Sequence, residues 1–423
     1  MLSNLAILII ILIVCLAIGV PVSVSIGIAS VTFVLISDIN IYVLIQRMFA
    51  GLDNMTLIAL PGFILAGDLM NSGGLAKRLV KFCDMMASRI AGGMSIVTVI
   101  TCMVFGAISG STVATTAAVG GIMLPEMEQR NYDKAYATAV AAAGGILGAI
   151  IPPSLGMVVY GSVTFVSITS LFKAGIPTGI LMGLLAGIVC YYFGKKNGYV
   201  GSGHRYSFKE AAKITRESLL AFGAPLIILG GIFSGKFTPT EAAVVSIVYA
   251  IIIGMFVYRE MTPKMLVDTI IKGATTSGSI LYIIAYATLF GWIIASEQVP
   301  NMVFSMIDSM TANRVLIVLM LNLVLLIGGM FMESGALTII SAPIIAPIGV
   351  MLGFDPIHFG IMFCINITIG CLTPPFGVNL FTASMVGNVP VQKIIPKLWP
   401  FIFVYIGGLM IIAFCPQLAL LFV

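Results

Sequence analysis

Long apolar runs without charge decide what solvent this chain can face. Leu5 to Ile36 holds no charged residue and is broken only by small Gly, Ser and Thr residues and Pro21. Ala174 to Phe193, Leu219 to Phe233, Ala242 to Val257, Val315 to Phe331 and Trp399 to Val423 are similar. A membrane-crossing helix needs about 20 apolar residues. Of the 423 residues, 60% are hydrophobic and 9% charged, and the mean hydropathy is +1.14. A soluble domain carries roughly 25% charged residues, so a water-facing surface cannot be built from this chain. The expectation is an all-α polytopic membrane protein with roughly ten or eleven full spans and some shorter pieces.

Several function classes drop out. The first apolar segment lacks a basic start and is followed at once by another, which argues against a cleavable signal. The net charge of +5 sits in loops, where membrane topology explains it, so no nucleic-acid partner is expected. The seven cysteines lie mostly inside apolar runs and form no CxxC, which suggests neither a disulfide frame nor a zinc site. His204 and His358 cannot supply a metal cluster alone, and HExxH and GxSxG motifs are missing.

The most polar stretch, Lys195 to Glu217, carries Lys195, Lys196, His204, Arg205, Lys209, Lys213 and Arg216. It reads as a cytoplasmic connector (195–217) between two halves, 1–194 and 218–423. An offset of 222 residues brings Pro152-Pro153 onto Pro374-Pro375 without a gap. The same offset brings Gly106 onto Gly328, Thr116 onto Thr338, Pro125 onto Pro347, Asp133 onto Asp355 and Gly148 onto Gly370. Rare helix-disturbing residues aligning in order point to inverted-topology repeats with discontinuous helices.

Basic residues orient each half. Lys77, Arg78, Lys81 and Arg89 precede the stretch 92–125, and Arg130 and Lys134 follow it. Both flanks read as cytoplasmic, so this stretch is a re-entrant hairpin with its tip near Gly106 to Thr112. Its counterpart, 315–350, has its tip near Gly328 to Thr338 and enters from the opposite face. Broken helices are expected over 135–165 and 357–385, and both termini on the periplasmic side. Leu75 to Ile90 is amphipathic and reads as a helix lying along the membrane, with Asn301 to Asn313 as its partner.

Three motifs carry chemistry. GAISGSTVATT, Gly106 to Thr116, is either a close helix contact or a hairpin tip whose hydroxyls and backbone face a cavity. GAIIPPSLG, Gly148 to Gly156, is either a proline kink or an unwound turn. Such a turn frees carbonyls for a cation and starts a half-helix suited to an anion; GCLTPPFGVN, Gly370 to Asn379, echoes it. GGMFMESGALT, Gly328 to Thr338, places Glu333 in an apolar environment, where it binds a cation or proton or sits at a wet hairpin mouth. Asp68 and Glu241 pose the same question. Free carbonyls with Ser/Thr oxygens suit a hard monovalent cation, and half-helix N-termini suit a carboxylate. Cation-coupled uptake of an organic anion is therefore expected, with Na⁺ fitting better than Zn²⁺ or Ca²⁺ and a proton through Glu333 as the alternative.

These motifs resemble those of the large membrane subunit of TRAP (tripartite ATP-independent periplasmic) transporters. GDLMNSGGLAKRL (67–79), GAISGSTVATTAAVG (106–120), GGILGAIIPPSLGMVVYG (144–161), FTPTEAAVV (237–245), GGMFMESGALT (328–338) and GCLTPPFGVNLF (370–381) carry the likeness over essentially the whole chain. It implies an elevator architecture in the bacterial inner membrane, Na⁺ as coupling ion with no other cofactor, a small four-helix membrane subunit and a periplasmic binding protein. One implied Na⁺ site comprises Ser109, Ser111, Gly148, Ile151 and Pro153. The other comprises Gly328, Gly370, Thr373 and Phe376. Ile151, Pro153 and Phe376 would act through backbone carbonyls. Thr112, Ser154, Ser334 and Asn379 are expected to face substrate. Ser111 aligns with Glu333 and Ser109 with Phe331, so the sites differ chemically. The likeness implies an organic acid as cargo and leans toward the sialic acid members. The chain starts at its own first helix, so the small subunit is expected as a separate polypeptide.

Three rivals make different demands. A stand-alone Na⁺/anion symporter would need no binding protein. A channel would leave an open pore, against which two hairpins and two broken helices argue. An intramembrane enzyme would need a serine working without histidine.

Overall fold

The computed structural model describes residues 2–53, 55–87, 90–199, 207–311 and 313–423. Among these residues the regular structure is entirely helical. Proline, glycine and short polar caps set the boundaries. α1 (Leu2–Ala17) and α2 (Val22–Ile36) are separated by Gly19, at φ +84°, and Pro21. Asn40 caps α3 (Ile41–Leu52) by accepting from the Tyr42 amide at 3.0 Å. α4 (Ala59–Ser72) and α5 (Leu75–Ala87) follow. On α5, Leu75, Leu79 and Cys83 are buried while Lys77 and Lys81 stay exposed, the two-faced pattern of a helix at an interface.

A hairpin comes next: α6 (Gly93–Ser109) and α7 (Thr112–Gln129). Asp133 caps α8 (Lys134–Ile146), which unwinds through Leu147–Ala149 and a cis Pro152-Pro153 bond before α9 (Leu155–Thr164). α10 (Ile168–Asn197), α11 (Phe208–Phe233), α12 (Pro239–Ile251, continued as a π turn over Ile252–Val257) and α13 (Pro263–Ser296) are long and apolar. The second half then repeats the order. It has a short helix α14 (Val299–Met310), a hairpin of α15 (Arg314–Phe331) and α16 (Ser334–Met351), and a broken pair α17 (Pro356–Gly370) and α18 (Val378–Gly387) around cis Pro374-Pro375. α19 (Val391–Phe414) and α20 (Pro416–Ala419) close the chain. The halves differ in one place. Under the 222-residue offset, α13 covers in one 34-residue helix what α3 and α4 cover in two.

Two expectations need correction. Seven helices among the described residues are long and apolar enough to cross a membrane, rather than ten or eleven. Those seven include both arms of the second hairpin, α15 and α16. Hydropathy counts apolar length, and hairpin arms and half-helices contribute apolar length without a full crossing. The segment 195–217 is also less of a linker than its charge suggests. α10 runs to Asn197, and α11 starts at Phe208 behind a capping box in which Ser207 and Glu210 bond reciprocally at 3.2 and 2.8 Å. His204 and Arg205 lie outside the described residues.

The hairpins and broken helices interlock. α7 and α8 pack on α18, α9 packs on α16, and α10 and α19 close around them. Tyr136, Tyr160, Phe172, Phe359, Phe363 and Tyr405 are fully buried there. α12 lies on α4, and α13 spans α2, α3 and α4. A smaller core of Leu69, Met70, Leu79, Ile108, Ala221 and Ala224 joins α4, α5 and α11 to the end of α6. Ile10, Ile13, Leu184, Leu226, Phe256 and Phe403 are each more than half exposed, a perimeter that lipid rather than water would cover.

Candidate functional site

The two hairpin tips are built by two-residue turns. In the first, Gly110 takes a left-handed conformation (φ +61°), which a side chain would strain. Ser111 is extended and caps α7 by accepting from the Ala114 amide at 3.4 Å. In the second, Met332 and Glu333 are both extended. The Glu333 carboxylate caps α16, accepting from the Gly335 amide at 2.8 Å, the Ala336 amide at 3.2 Å and the Ser334 hydroxyl at 2.9 Å. Its lone charge in an apolar segment therefore has a local structural use. Asp68 and Glu241 are accounted for similarly. Asp68 lies 3.6 Å from the Lys272 ammonium, and Glu241 forms a capping box with Thr238.

Each tip is tied to its own broken helix by one backbone bond. Leu155 N donates to Gly110 O at 3.1 Å, and Gly377 N donates to Met330 O at 2.8 Å. The donors Leu155 and Gly377 are 222 residues apart, and the acceptors Gly110 and Met330 are 220 apart, so the repeat shows in the donors and slips by two residues at the tip. Glycines let the backbones touch. A Cβ on Gly106 would collide with the Gly148 Cα. In the second half the touching glycine is Gly329, whose Cβ would lie 2.8 Å from the Gly370 Cα. Gly328, expected from the offset, instead faces the flexible Leu337 side chain, and its carbonyl accepts from the Met332 amide at 3.2 Å.

Around the first tip the expected oxygens draw together. The Ser109 and Thr115 hydroxyls are 2.7 Å apart and buried, and Ser109 Oγ lies 3.5 Å from Ser111 O. The open face of Gly148 meets Thr115 and Ser111 O, and the Pro153 carbonyl meets Gly110. Ile151 sits beside them, its side chain against Gly179 and its amide bonded to Leu147 O at 2.9 Å. Nothing in the sequence sets Thr115 apart from its neighbouring hydroxyl residues, although it stands one helical turn beyond Ser111. Around the second tip, Gly370 O accepts from the Thr373 amide at 2.8 Å, and Thr373 Oγ1 donates to Ile369 O at 2.8 Å. A carbonyl oxygen has two lone pairs, so these bonds leave capacity for a cation. Phe376 projects outward, with its ring 5.5 Å from that of Phe331.

The four residues expected to face substrate divide in two. Thr112 and Ser334, the first residues of α7 and α16, line a crevice of about 60 Å³ with Gly110, Ser111 and Glu333, closed by Leu60, Ile280 and Ile283. That volume suits about two waters. Ser154 and Asn379 do not reach it. Ser154 is buried, caps α9 through the Met157 amide at 3.3 Å and donates to Ala149 O at 2.5 Å. Asn379 is fully buried, accepting from Thr116 Oγ1 at 2.8 Å and donating to Ala142 O at 2.8 Å. In this structure its amide joins the second broken helix to the first hairpin and to α8.

A family model described as the DctM component of tripartite ATP-independent periplasmic transporters matches residues 9–418. The chain belongs to that family. It is 39% identical over 394 residues to the isethionate TRAP transporter permease protein DctMQ of Oleidesulfovibrio alaskensis, covering 93% of this chain and 62% of that protein. This chain thus spans less than two thirds of that relative. It is 37% identical over 391 residues to the C4-dicarboxylate TRAP transporter large permease protein DctM of Pseudomonas aeruginosa, covering 92% and 91% of the two chains. It is 36% identical over 376 residues to the sialic acid TRAP transporter large permease protein SiaM of Vibrio cholerae, covering 89% and 88%. Relatives named for three different anions lie between 36% and 39% identity, so identity selects none of them. Among solved structures, the Alcanivorax borkumensis YdaH transporter superposes with a TM-score of 0.61 over 87% of this chain and 86% of that one at 14% identity, a likeness of fold. The motif-based resemblance to TRAP large subunits therefore holds, and the chain is a multi-pass membrane component of a transporter.

Proposed function

We propose that this chain is the large transport subunit of a Na⁺-coupled importer of an organic acid, working with a small four-helix membrane subunit and a periplasmic binding protein. The observation that carries this reading is the doubled bond from hairpin tip to broken helix, Leu155 to Gly110 and Gly377 to Met330. It gathers uncharged oxygens beside half-helix ends in both halves. Ser109, Ser111, Gly148, Ile151 and Pro153, with Thr115 added, form one Na⁺ site. Gly370, Thr373, Phe376 and the Gly328–Gly329 pair form the other. Thr112 and Ser334 face the substrate, with its carboxylate or sulfonate on the Thr112 side. The anion is drawn to the start of α7, whose dipole Ser111 caps without charge. The hairpin-bearing body moves as an elevator against α1–α4 and α11–α13. The chain sits in a bacterial inner membrane with its termini on the periplasmic side, and the cargo is a C4-dicarboxylate, a sialic acid or isethionate.

The test is uptake into proteoliposomes holding this chain and the small membrane protein encoded beside it, with and without the neighbouring periplasmic binding protein. Labelled succinate, N-acetylneuraminate and isethionate are offered under an inward Na⁺ gradient. Uptake of one of them only with all parts and Na⁺ is expected. Ser109→Ala is expected to raise the half-saturating Na⁺ concentration about tenfold, the loss of roughly one good oxygen ligand. Uptake by this chain alone would establish the stand-alone symporter instead. An unchanged Na⁺ response in Ser109→Ala would remove the site assignment.

A further inference from the structure

A cavity of about 820 Å³ shares no lining residue with the proposed Na⁺ sites. Its walls come from both bodies: Arg47 and Gly51 on α3 and Ile284 to Ala295 on α13 face Tyr160 to Ser167 at the end of α9, the latter part of α16 and the start of α17. That volume lies within the usual range for small-molecule sites. The walls are mostly apolar, and among the described residues Arg47 is the only charged one lining them.

Like most of the described lysines and arginines, Arg47 has no carboxylate partner among the described residues; what sets it apart is its place in the cavity wall. Its guanidinium lies 5.2 Å from the centre of the Trp292 ring. A ring on one face holds the group in place and leaves its in-plane N–H donors available to an oxyanion. Ser162, on the facing wall, has a buried hydroxyl with no hydrogen-bond partner among the described residues. A buried donor without a partner is costly, and a ligand oxygen would supply one.

The cavity also has a side. α13 begins next to the Arg78–Glu260 ion pair, and its cavity-lining residues lie toward its other end. Following the helices through, the lysines and arginines among the described residues fall toward the Arg78 end except Arg47, Lys173, Lys236 and Arg314. The positive-inside rule makes the cavity's end periplasmic. Toward the cytoplasmic end the two bodies are in close contact. A Cβ on Gly67 of α4 would lie 3.1 Å from the Ser109 Cα at the end of α6.

We propose that this cavity is the outward-facing vestibule where the organic anion is first held, with Arg47 binding its carboxylate or sulfonate and Ser162 donating a second hydrogen bond. The proposal rests on the transport reading above, and its first test needs no substrate. Thr288→Cys and Ala295→Cys are made in a chain whose Cys15 and Cys415 are replaced by serine; the other cysteines are buried. The complex in right-side-out vesicles is treated with membrane-impermeant methanethiosulfonates, one anionic and one cationic. Both cysteines are expected to react from outside. The anionic-to-cationic rate ratio is expected to fall about fivefold in Arg47→Gln, as one unit charge at close range in a wet site predicts. Reaction only from the cytoplasmic face, or a ratio indifferent to Arg47, would overturn the vestibule.

Two further arms fix the ligand. If the ratio responds to Arg47 only in phosphatidylcholine liposomes and not in membranes containing anionic lipid, a lipid headgroup occupies Arg47 and the substrate role fails. Where wild type carries a labelled acid, Arg47→Gln is expected to raise KM about tenfold with Vmax little changed, and Arg47→Lys to restore part of the loss. An unchanged KM would overturn the substrate role and leave the vestibule standing. If wild type carries none of the acids offered, the transport reading fails on that arm while the reagent ratio still decides the vestibule.

Discussion

Asn379 separates a structural role from a substrate-binding one, because the two make opposite predictions. Its amide is fully buried and accepts from Thr116 Oγ1 and donates to Ala142 O, both at 2.8 Å. Asn379→Ala removes both bonds. Thr116 can turn its hydroxyl to a carbonyl one turn back on its own helix, so its loss is partly recovered. The Ala142 carbonyl loses its side-chain donor, and the truncation leaves a small void. Bonds between membrane helices are worth about 0.6 to 2 kcal/mol each, and an unsatisfied buried group costs about 1–3 kcal/mol. The expected loss is about 2–3 kcal/mol. It is read as a fall of several degrees in the apparent unfolding temperature of the purified complex. Asn379→Asp keeps the acceptor for Thr116 but sets an oxygen against Ala142 O, so it is expected to be worse than alanine. At permissive temperature, KM of the alanine variant is expected to stay within about twofold of wild type. An unchanged unfolding temperature with a strongly raised KM would show that Asn379 meets substrate, and the structural role would be refuted.

Two other substitutions test the tips. Gly329→Ala is expected to destabilise the complex strongly, because its Cβ would meet the Gly370 Cα and Ile367 O at 2.8 Å. Gly328→Ala, against the yielding Leu337 methyls at 3.0 and 3.1 Å, is expected to cost under about 1 kcal/mol; thermal unfolding of the pair checks the order. Glu333→Gln keeps an acceptor for the α16 amides, so uptake is expected to keep its pH profile and the complex to lose about 1 kcal/mol at most. A displaced pH profile would return Glu333 to the proton-carrying role.

The elements around the site were legible because each boundary depends on local chemistry. The hairpin expected at 92–125 is Gly93–Ser109 and Thr112–Gln129, and that expected at 315–350 is Arg314–Phe331 and Ser334–Met351. The double prolines, the basic residues flanking the first hairpin and the 222-residue offset place these elements from the sequence. Side-chain partners were less accessible. Ser154 and Asn379 looked like polar groups awaiting a ligand. Their partners are a carbonyl freed by the proline turn and two groups more than 230 residues away. Thr115 was passed over because, in a run of hydroxyl residues, only tertiary geometry tells which one faces Gly148. The offset also misled by one residue at Gly328. It aligns sequence, whereas the helix contact chose the adjacent glycine.

One difference between the halves has consequences beyond sequence. Under the offset, Ser111 and Glu333 are equivalent, and both cap the second helix of their hairpin. A neutral cap leaves the partial positive charge of the α7 N-terminus in place. A carboxylate cap at α16 cancels that field and replaces it with a net negative charge. The start of an exposed helix favours an anion by about 0.3–1 kcal/mol, and by more where water is excluded. Both tips open on the same crevice, so that crevice is polarised from one half to the other. On the transport reading proposed above, an organic anion would be drawn toward Thr112 and repelled from Glu333, while a cation would gain on the Glu333 side. Two backbone frames built alike thus present unlike fields, which allows a duplicated fold to hold an anion in a single orientation.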